Sequence, residues 1–158
     1  MRAGIGERIA GHLAAALLAT AAALPGGAAL AQSPTESPAG LWRTIDETTK
    51  QPKALVRIVE NDGVLTGRIE RILPPGKPDA RCEACDDERR DQPVQGMAIL
   101  TGLRRQGEQW EGGRVLDPSN GKNYQARARL IEGGRKLELR GFIGTPMLGR
   151  TQVWVREQ

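Results

Sequence analysis

Residues 122–143 read "KNYQARARLIEGGRKLELRGFI", and this stretch decides the fold class. Apolar and polar side chains alternate on each side of the Gly133–Gly134 turn, where Leu137 and Leu139 oppose Glu138 and Arg140. In the first half, the side chains that share the apolar face are Tyr124, Ala126, Ala128 and Leu130. A period of two is typical of a strand with one buried and one solvated face. The stretch therefore predicts a β-hairpin.

The same alternation, interrupted by turn signals, divides the rest of the chain into short strands. Asn61-Asp62-Gly63 is the clearest signal, because Asp-Gly suits tight turns that need positive φ. The predicted strands are 41–47, 53–60, 64–72, 96–103, 109–116, 122–131, 135–143 and 149–157. No amphipathic helix of ordinary length is predicted between them.

Eight antiparallel strands in sequence must hide their edges, either by closing into a barrel or by stacking as a sandwich. The mostly hairpin-length connections favour an up-and-down barrel, closed by pairing of 41–47 with 149–157. A membrane barrel would need an apolar outer band with aromatic girdles. One face here carries Arg127, Arg129 and Arg140 instead. The prediction is an all-β, eight-stranded antiparallel barrel that does not span a membrane.

The N-terminus has the order of a secretory signal peptide. Basic residues come first, an Ala- and Leu-rich run follows, and Ala29-Leu30-Ala31 forms the cleavage motif. A membrane anchor is the alternative, but the apolar run is short and Pro25-Gly26-Gly27 interrupts it. We expect cleavage after Ala31 and a periplasmic or secreted protein. Residues 1–31 are then a signal peptide, 32–39 a flexible leader and 40–158 one barrel domain.

Composition excludes several kinds of chemistry from the exported chain. Its formal net charge is only mildly basic and its arginines are scattered, so nucleic acid is not an expected partner. The single histidine, His12, lies in the signal peptide, so catalytic triads and histidine metal sites are excluded after cleavage. No cofactor and no metal are predicted. Carboxylates such as Asp46, Glu47 and Glu111 are present, but nothing pairs them in the sequence, so an enzyme is not expected.

Gly40-Leu41-Trp42 opens the first predicted strand. A G-x-W at this place resembles the opening signature of lipocalin-like barrels, in which the tryptophan plugs the closed end and a late arginine lies over it. Arg150 or Arg156 would supply that arginine through a cation–π contact. We take Trp42 and Arg156 as the predicted barrel plug.

Several longer motifs resemble one bacterial family. The stretches "DPSNGKNY" (117–124), "RGFIG" (140–144) and "GRTQVWVR" (149–156) occur together with the G-x-W and with "CEAC" (82–85). In this combination they are similar to the exported proteins catalogued as domain of unknown function 2147. The resemblance covers about 40–158. It implies a signal peptide, a lipocalin-like barrel, a C-x-x-C in a long loop and no established activity.

The only cysteines, Cys82 and Cys85, allow three interpretations. An oxidising compartment favours a disulfide staple. A thiol oxidoreductase would need neighbours that stabilise a thiolate, but Glu83 and Asp86–Glu88 are acidic and disfavour one. A zinc site would need further ligands, either carboxylates or residues of a second chain. We predict the disulfide, with redox and metal roles as the alternatives.

Two loops are candidates for function. The 73–93 loop is far longer than a hairpin needs, which indicates either a solvated loop or a lid or docking surface. A second loop places the apolar residues Phe142, Ile143, Met147 and Leu148 in a polar neighbourhood, as an end-cap or a ligand portal.

Two function classes follow from the predicted barrel. The first is a binding barrel for a small apolar or amphipathic ligand, with interior room beside Ala126, Ala128, Gly67 and Gly141. The second is a non-enzymatic envelope module with a filled barrel, which contacts partners through its loops. The size of the internal cavity distinguishes them, because a barrel packed solid holds no ligand.

Overall fold

The computed structural model describes residues 37–158. Eight strands form one closed antiparallel barrel in the order of the sequence. Their bounds are β1 Gly40–Ile45, β2 Pro52–Asn61, β3 Val64–Ile72, β4 Ala98–Gln106, β5 Gln109–Asp117, β6 Lys122–Ile131, β7 Lys136–Phe142 and β8 Arg150–Arg156. A 3₁₀ turn, Pro146–Leu148, precedes β8. The predicted eight-stranded up-and-down barrel is confirmed.

The first and last strands close the barrel, as predicted. Trp42 pairs with Arg156 and Arg43 with Val155, and the ladder between β1 and β8 consists of these two pairs. β1 bends away beyond them, where its register with β2 shifts between Thr44 and Ile45. Residues 150–154 of β8 therefore have no register partner on β1. One edge of β8 is partly free within an otherwise closed sheet.

The hairpin between β4 and β5 is tighter than the sequence suggested. The predicted strand bounds leave residues 104–108 as a turn. In the structure, Arg104, Arg105 and Gln106 continue β4 and pair with β5. The turn itself is only Gly107 and Glu108. Cross-strand pairing of the β4 extension with Trp110 and its neighbours satisfies the backbone groups that a turn would leave to solvent.

Alternating residues of all eight strands fill the barrel with apolar side chains. Two tryptophans lie near its β1–β8 closure and a third begins β5. The side chains that are buried on the strands include Trp42, Val56, Ile58, Leu65, Leu100, Leu103, Trp110, Leu137, Leu139 and Trp154. Burial of side chains this large supplies most of the free energy that favours folding. On β6 and β7 the predicted apolar residues Ala126, Ala128, Leu137 and Leu139 are buried in the core, whereas Tyr124 and Leu130 on the same face are half-buried.

The small interior residues Gly67 and Gly141 have close neighbours and leave no void beside them. A Cβ at Gly67 would lie 3.0 Å from Leu100 Cβ and 3.4 Å from Val56 Cγ1. A Cβ at Gly141 would lie 3.3 Å from Val115 Cγ1. Ala126 and Ala128 are buried within the same core. Small side chains here accommodate large neighbours rather than create room.

The up-and-down topology gives the barrel two different ends. The plug end carries the described N-terminal residues, the C-terminus and the turns 62–63, 107–108 and 132–135. The loop end carries the four longer connections 46–51, 73–97, 118–121 and 143–149. Both candidate loops of the sequence analysis therefore lie at one end of the barrel.

The predicted signal peptide and cleavage site lie outside the described residues, as do residues 32–36 of the predicted leader. Residues 37–39 differ from the flexible leader expected there: Pro38 is buried, and the carbonyls of Ser37, Pro38 and Ala39 all accept hydrogen bonds. Between residues 37 and 158, no helix has the length and apolar character needed to cross a bilayer.

Candidate functional site

Trp42 and Arg156 meet at the plug end. The Arg156 guanidinium carbon lies 4.3 Å from the centre of the Trp42 ring, within cation–π range. The same guanidinium donates to the carbonyls of Gly134, Ala39 and Ser37 at 2.7–2.9 Å. Arg156, rather than Arg150, therefore takes the position over the tryptophan. It ties the N-terminal segment, the β6–β7 turn and β8 together.

The glycine of the G-x-W motif has a packing reason. Gly40 has φ +141°, a conformation that side-chain-bearing residues rarely adopt. A Cβ there would lie 2.7 Å from Arg156 Nη1. The indole Nε1 of Trp42 donates to the Pro38 carbonyl at 2.8 Å, so the ring is both buried and hydrogen-bonded. The plug end is thus a structural closure with no free polar group on its tryptophan.

Cys82 and Cys85 form a disulfide inside the 73–97 connection. Both are buried, and both belong to the apolar core cluster, as does Leu116 of β5. Leu116 pairs with Asn123, whereas the neighbouring Val115–Tyr124 pair lies on the inner side beside Gly141. Leu116 consequently points outward, and its burial means that the connection covers the outer surface of the β5–β6 hairpin.

The disulfide loop docks closely on the β5–β6 turn. A Cβ on Gly121, which has φ +71°, would lie 1.9 Å from the Ala84 carbonyl oxygen. Arg89 donates to Asn123 Oδ1 at 3.1 Å and forms an ion pair with Asp87. Hydrogen bonds from the Arg89 side chain and backbone lower the pKa of Asp87 to about 2. The carboxylate that pairs with Arg89 is therefore ionised at neutral pH.

The four predicted portal residues lie at the rim of the loop end. Met147, Leu148 and Ile143 are 88%, 81% and 63% exposed. Phe142 pairs with the exposed Gln125 and so belongs to the outer side of the barrel. The structure brings these residues together at the rim, and the portal role stays a prediction.

An arginine that sequence reasoning did not single out fixes this rim loop. Arg140 on β7 donates to the carbonyls of Pro146 and Met147 and to Thr151 Oγ1. Its guanidinium joins the 3₁₀ turn to both flanking strands. The exposed apolar side chains are thereby held on a fixed backbone rather than on a free loop.

Two surface pockets lie on the outer side of the barrel. One, of about 490 Å³, is lined on β2 and β3 by Arg57, Val59, Arg68 and Glu70 and bounded by Gln95 and Gly96. The other, of about 150 Å³, lies over β6 and β7 and is lined by Gln109, Arg127, Arg129, Glu138 and Arg140. Within residues 37–158 no group of three or more Cys, Asp or Glu side chains is arranged to hold a metal ion.

Comparison with known proteins places the chain in a family. Residues 40–156 match the model of the family described as "Uncharacterized protein conserved in bacteria (DUF2147)". The chain belongs to this family. The membership of this family that the sequence motifs indicated is thereby confirmed. A search of curated proteins finds no match.

A solved structure shows the same fold. It is protein HP1028 from the human pathogen Helicobacter pylori, whose title assigns it to the lipocalin family. The similarity has a TM-score of 0.67 at 18% sequence identity and covers 77% of the DUF2147 chain and 84% of the other. At this identity the likeness extends to the fold alone, and it confirms a lipocalin-like barrel.

Proposed function

We propose that this protein is a non-enzymatic interaction module of the bacterial cell envelope, which binds a partner protein through its β7–β8 hairpin. One observation carries the proposal. Among the described residues five large apolar side chains are exposed, and four of them lie within this hairpin, namely Ile143, Met147, Leu148 and Val153. Clustered exposed apolar side chains mark interaction sites, whereas single ones are ordinary.

The packed interior supports an outward-facing role. Trp42, Trp154 and Leu100 are buried in the barrel, and neighbouring side chains occupy the space beside Gly67. A filled barrel offers its loops and outer surface for recognition, since it has no room for an enclosed ligand.

The free edge of β8 favours a protein as the partner. Arg156 N–H bonds to Arg135 O on the β7 side and Glu157 N–H to Leu41 O on the β1 side. By this alternation Val153 and Thr151 direct their backbone groups toward β1, beyond the last β1–β8 pair. An extended segment of a partner can pair with such groups by strand addition. Val153, 39% exposed, would then pack against that segment.

The envelope location rests on the sequence. The basic, apolar and A-x-A order of residues 1–31 supports export, and the Cys82–Cys85 disulfide suits an oxidising compartment. A partner in the same compartment would meet the hairpin directly.

Photo-crosslinking in the producing bacterium tests the proposal. A photoreactive amino acid at position 148 should give one discrete protein adduct, whereas the same group at position 59, on the exposed surface of β2, should give none. Val153→Asp should remove the adduct, because a charge on the β8 edge opposes strand addition. Val59→Asp is the matched control and should leave it unchanged. Equal adducts from positions 148 and 59, or an adduct that survives Val153→Asp, would contradict the proposal.

A small amphipathic ligand is the second candidate, and the mouth at the loop end is the observation that favours it. Gln152 pairs with the buried Leu139 and Arg150 with Gly141, so both lie on the inner side of β8, yet both are exposed. Gln152 also accepts a hydrogen bond from Trp154 Nε1 at 3.1 Å. A ligand would lie over this layer, above the filled core. A retained small molecule that is lost on Gln152→Ala would favour this candidate over the first.

A further inference from the structure

We propose that the outer face of β6 and β7 carries a binding site for a phosphate-type oxyanion, centred on Arg127 and Arg140. The two arginines are direct cross-strand partners in the antiparallel ladder. Arg140 pairs in turn with the exposed Thr151, so this row of the sheet lies on the outside. Like charges placed directly opposite each other destabilise a sheet, and an anion between them removes that repulsion.

Hydrogen bonds fix the side chains around the site in place without an anion, and a pocket lies between them. Arg129 forms two hydrogen bonds with the Glu138 carboxylate, at 2.9 and 3.1 Å, which fixes both side chains. Arg140 is fixed by two backbone carbonyls and a hydroxyl, and these contacts leave part of its guanidinium donors unused. Between these anchored groups lies the pocket of about 150 Å³ that Gln109 and Arg127 complete.

The Arg127 guanidinium supplies a positive charge that is available to an anion. It is half-buried, and within residues 37–158 its guanidinium forms neither a hydrogen bond nor an ion pair. Glu111, in the β5 bulge opposite, lies beyond ion-pair distance, and Glu138 is already engaged by Arg129. A guanidinium with five free donors beside a second guanidinium matches the bidentate geometry that phosphate oxygens accept.

The position of the site suggests two sources of the same chemistry. Arg140 also binds the carbonyl of Met147, whose side chain is exposed at the rim. Arg140 therefore connects the site to this apolar rim, and a phospholipid presents a phosphate together with apolar chains. A free phosphate or a soluble phosphorylated compound offers the same oxyanion. The site shares Arg140 with the proposed partner-binding hairpin, but it requires neither Val153 nor the β8 edge, and its test changes Arg127 on β6.

Thermal unfolding with inorganic phosphate tests the site. At constant ionic strength, replacing chloride by phosphate should raise the unfolding midpoint of the wild type. Arg127→Gln should reduce this rise to the part that exclusion of phosphate from the surface gives any protein, while leaving the midpoint in chloride equal or higher, because it removes the opposed charge. Arg114→Gln, on the outer face opposite Gln125, is the matched control and should retain the response. The same response in Arg127→Gln, or no response in the wild type, would overturn the proposal.

Vesicles separate the two sources. If the oxyanion comes from a lipid, the wild type should bind phosphatidylglycerol vesicles and not phosphatidylcholine vesicles, with competition by phosphate and loss of binding in Arg127→Gln. If it is soluble, phosphate should raise the midpoint while neither kind of vesicle is bound. Vesicle binding that Arg127→Gln leaves unchanged would show that the arginine pair is not the headgroup site and would overturn the proposal. The crosslinking result at position 148 is unaffected in either case.

Discussion

At the scale of single residues, Arg156 has the largest number of distinct contacts at the plug end. It combines a cation–π contact with Trp42 and hydrogen bonds to three carbonyls. The planar guanidinium makes these contacts together, which a lysine ammonium does not.

We therefore expect Arg156→Gln to lower the free energy of unfolding by about 2–4 kcal/mol, from the loss of charge-assisted hydrogen bonds and the cation–π contact. Arg156→Lys should lower the free energy of unfolding by less than Arg156→Gln does. Arg104→Gln, at an exposed position on β4, is the control and should change it by about 0.5 kcal/mol or less. Urea unfolding measures all three. An Arg156→Gln variant as stable as the control would contradict the plug.

The sequence predicted part of this residue-level picture. Trp42 and the choice between Arg150 and Arg156 came from the resemblance to lipocalin-like barrels, and the register of β8 decides between them, because Arg156 pairs with Trp42. The role of Arg140 was not predicted. Its partners are backbone carbonyls of a loop, and a sequence pattern carries no signal for where such carbonyls point.

At the scale of elements, the 73–97 connection is part of the core rather than a solvated appendage. The sequence predicts a disulfide within a long loop; the structure adds that both cysteines are buried and that the loop covers Leu116. Period-two reasoning assigns faces within a strand. It does not reveal when a distant segment covers an outward residue, because that contact depends on tertiary packing.

Gly121→Ala tests this docking. The added Cβ would meet the Ala84 carbonyl at 1.9 Å and would also oppose the positive φ. We expect a loss of about 3 kcal/mol or more, together with faster tryptic cleavage at the exposed Arg90.

Gly133→Ala is the matched control for Gly121→Ala. Gly133 has a similar φ of +63°, but no atom lies within 4 Å of its Cβ position. Gly133→Ala should lower the free energy of unfolding only by the backbone strain, about 1 kcal/mol, and should not speed tryptic cleavage at Arg90. Equal losses in the two variants would mean that the loop does not press on the β5–β6 turn.

At the scale of the whole molecule, the barrel architecture followed directly from the sequence. Eight alternating segments with short connections leave few alternatives, and the order, direction and closure of the strands are as predicted. Whether the interior holds a cavity did not follow, since residues such as Ala126 and Gly67 suit either an open space or large neighbours. The space beside Gly67 and Gly141 is occupied by side chains of nearby strands.

Gly67→Ala tests how closely the inner face of the barrel packs around Gly67. The new methyl group would lie 3.0 Å from Leu100 Cβ on the neighbouring strand, and overpacking should lower the free energy of unfolding by about 1–3 kcal/mol. If there were room beside Gly67, the same change should stabilise the protein by about 0.5 kcal/mol, because it restricts the unfolded chain. Urea unfolding gives the sign, and stabilisation would contradict close packing at Gly67.

Native mass spectrometry of the protein released from its own envelope tests the central claim most directly, namely that a filled barrel acts through its surface. We predict a chain that begins at Gln32, carries no small molecule inside the barrel and retains a protein partner that Val153→Asp releases. A stoichiometric small molecule that survives Val153→Asp, on a chain without a protein partner, would contradict it.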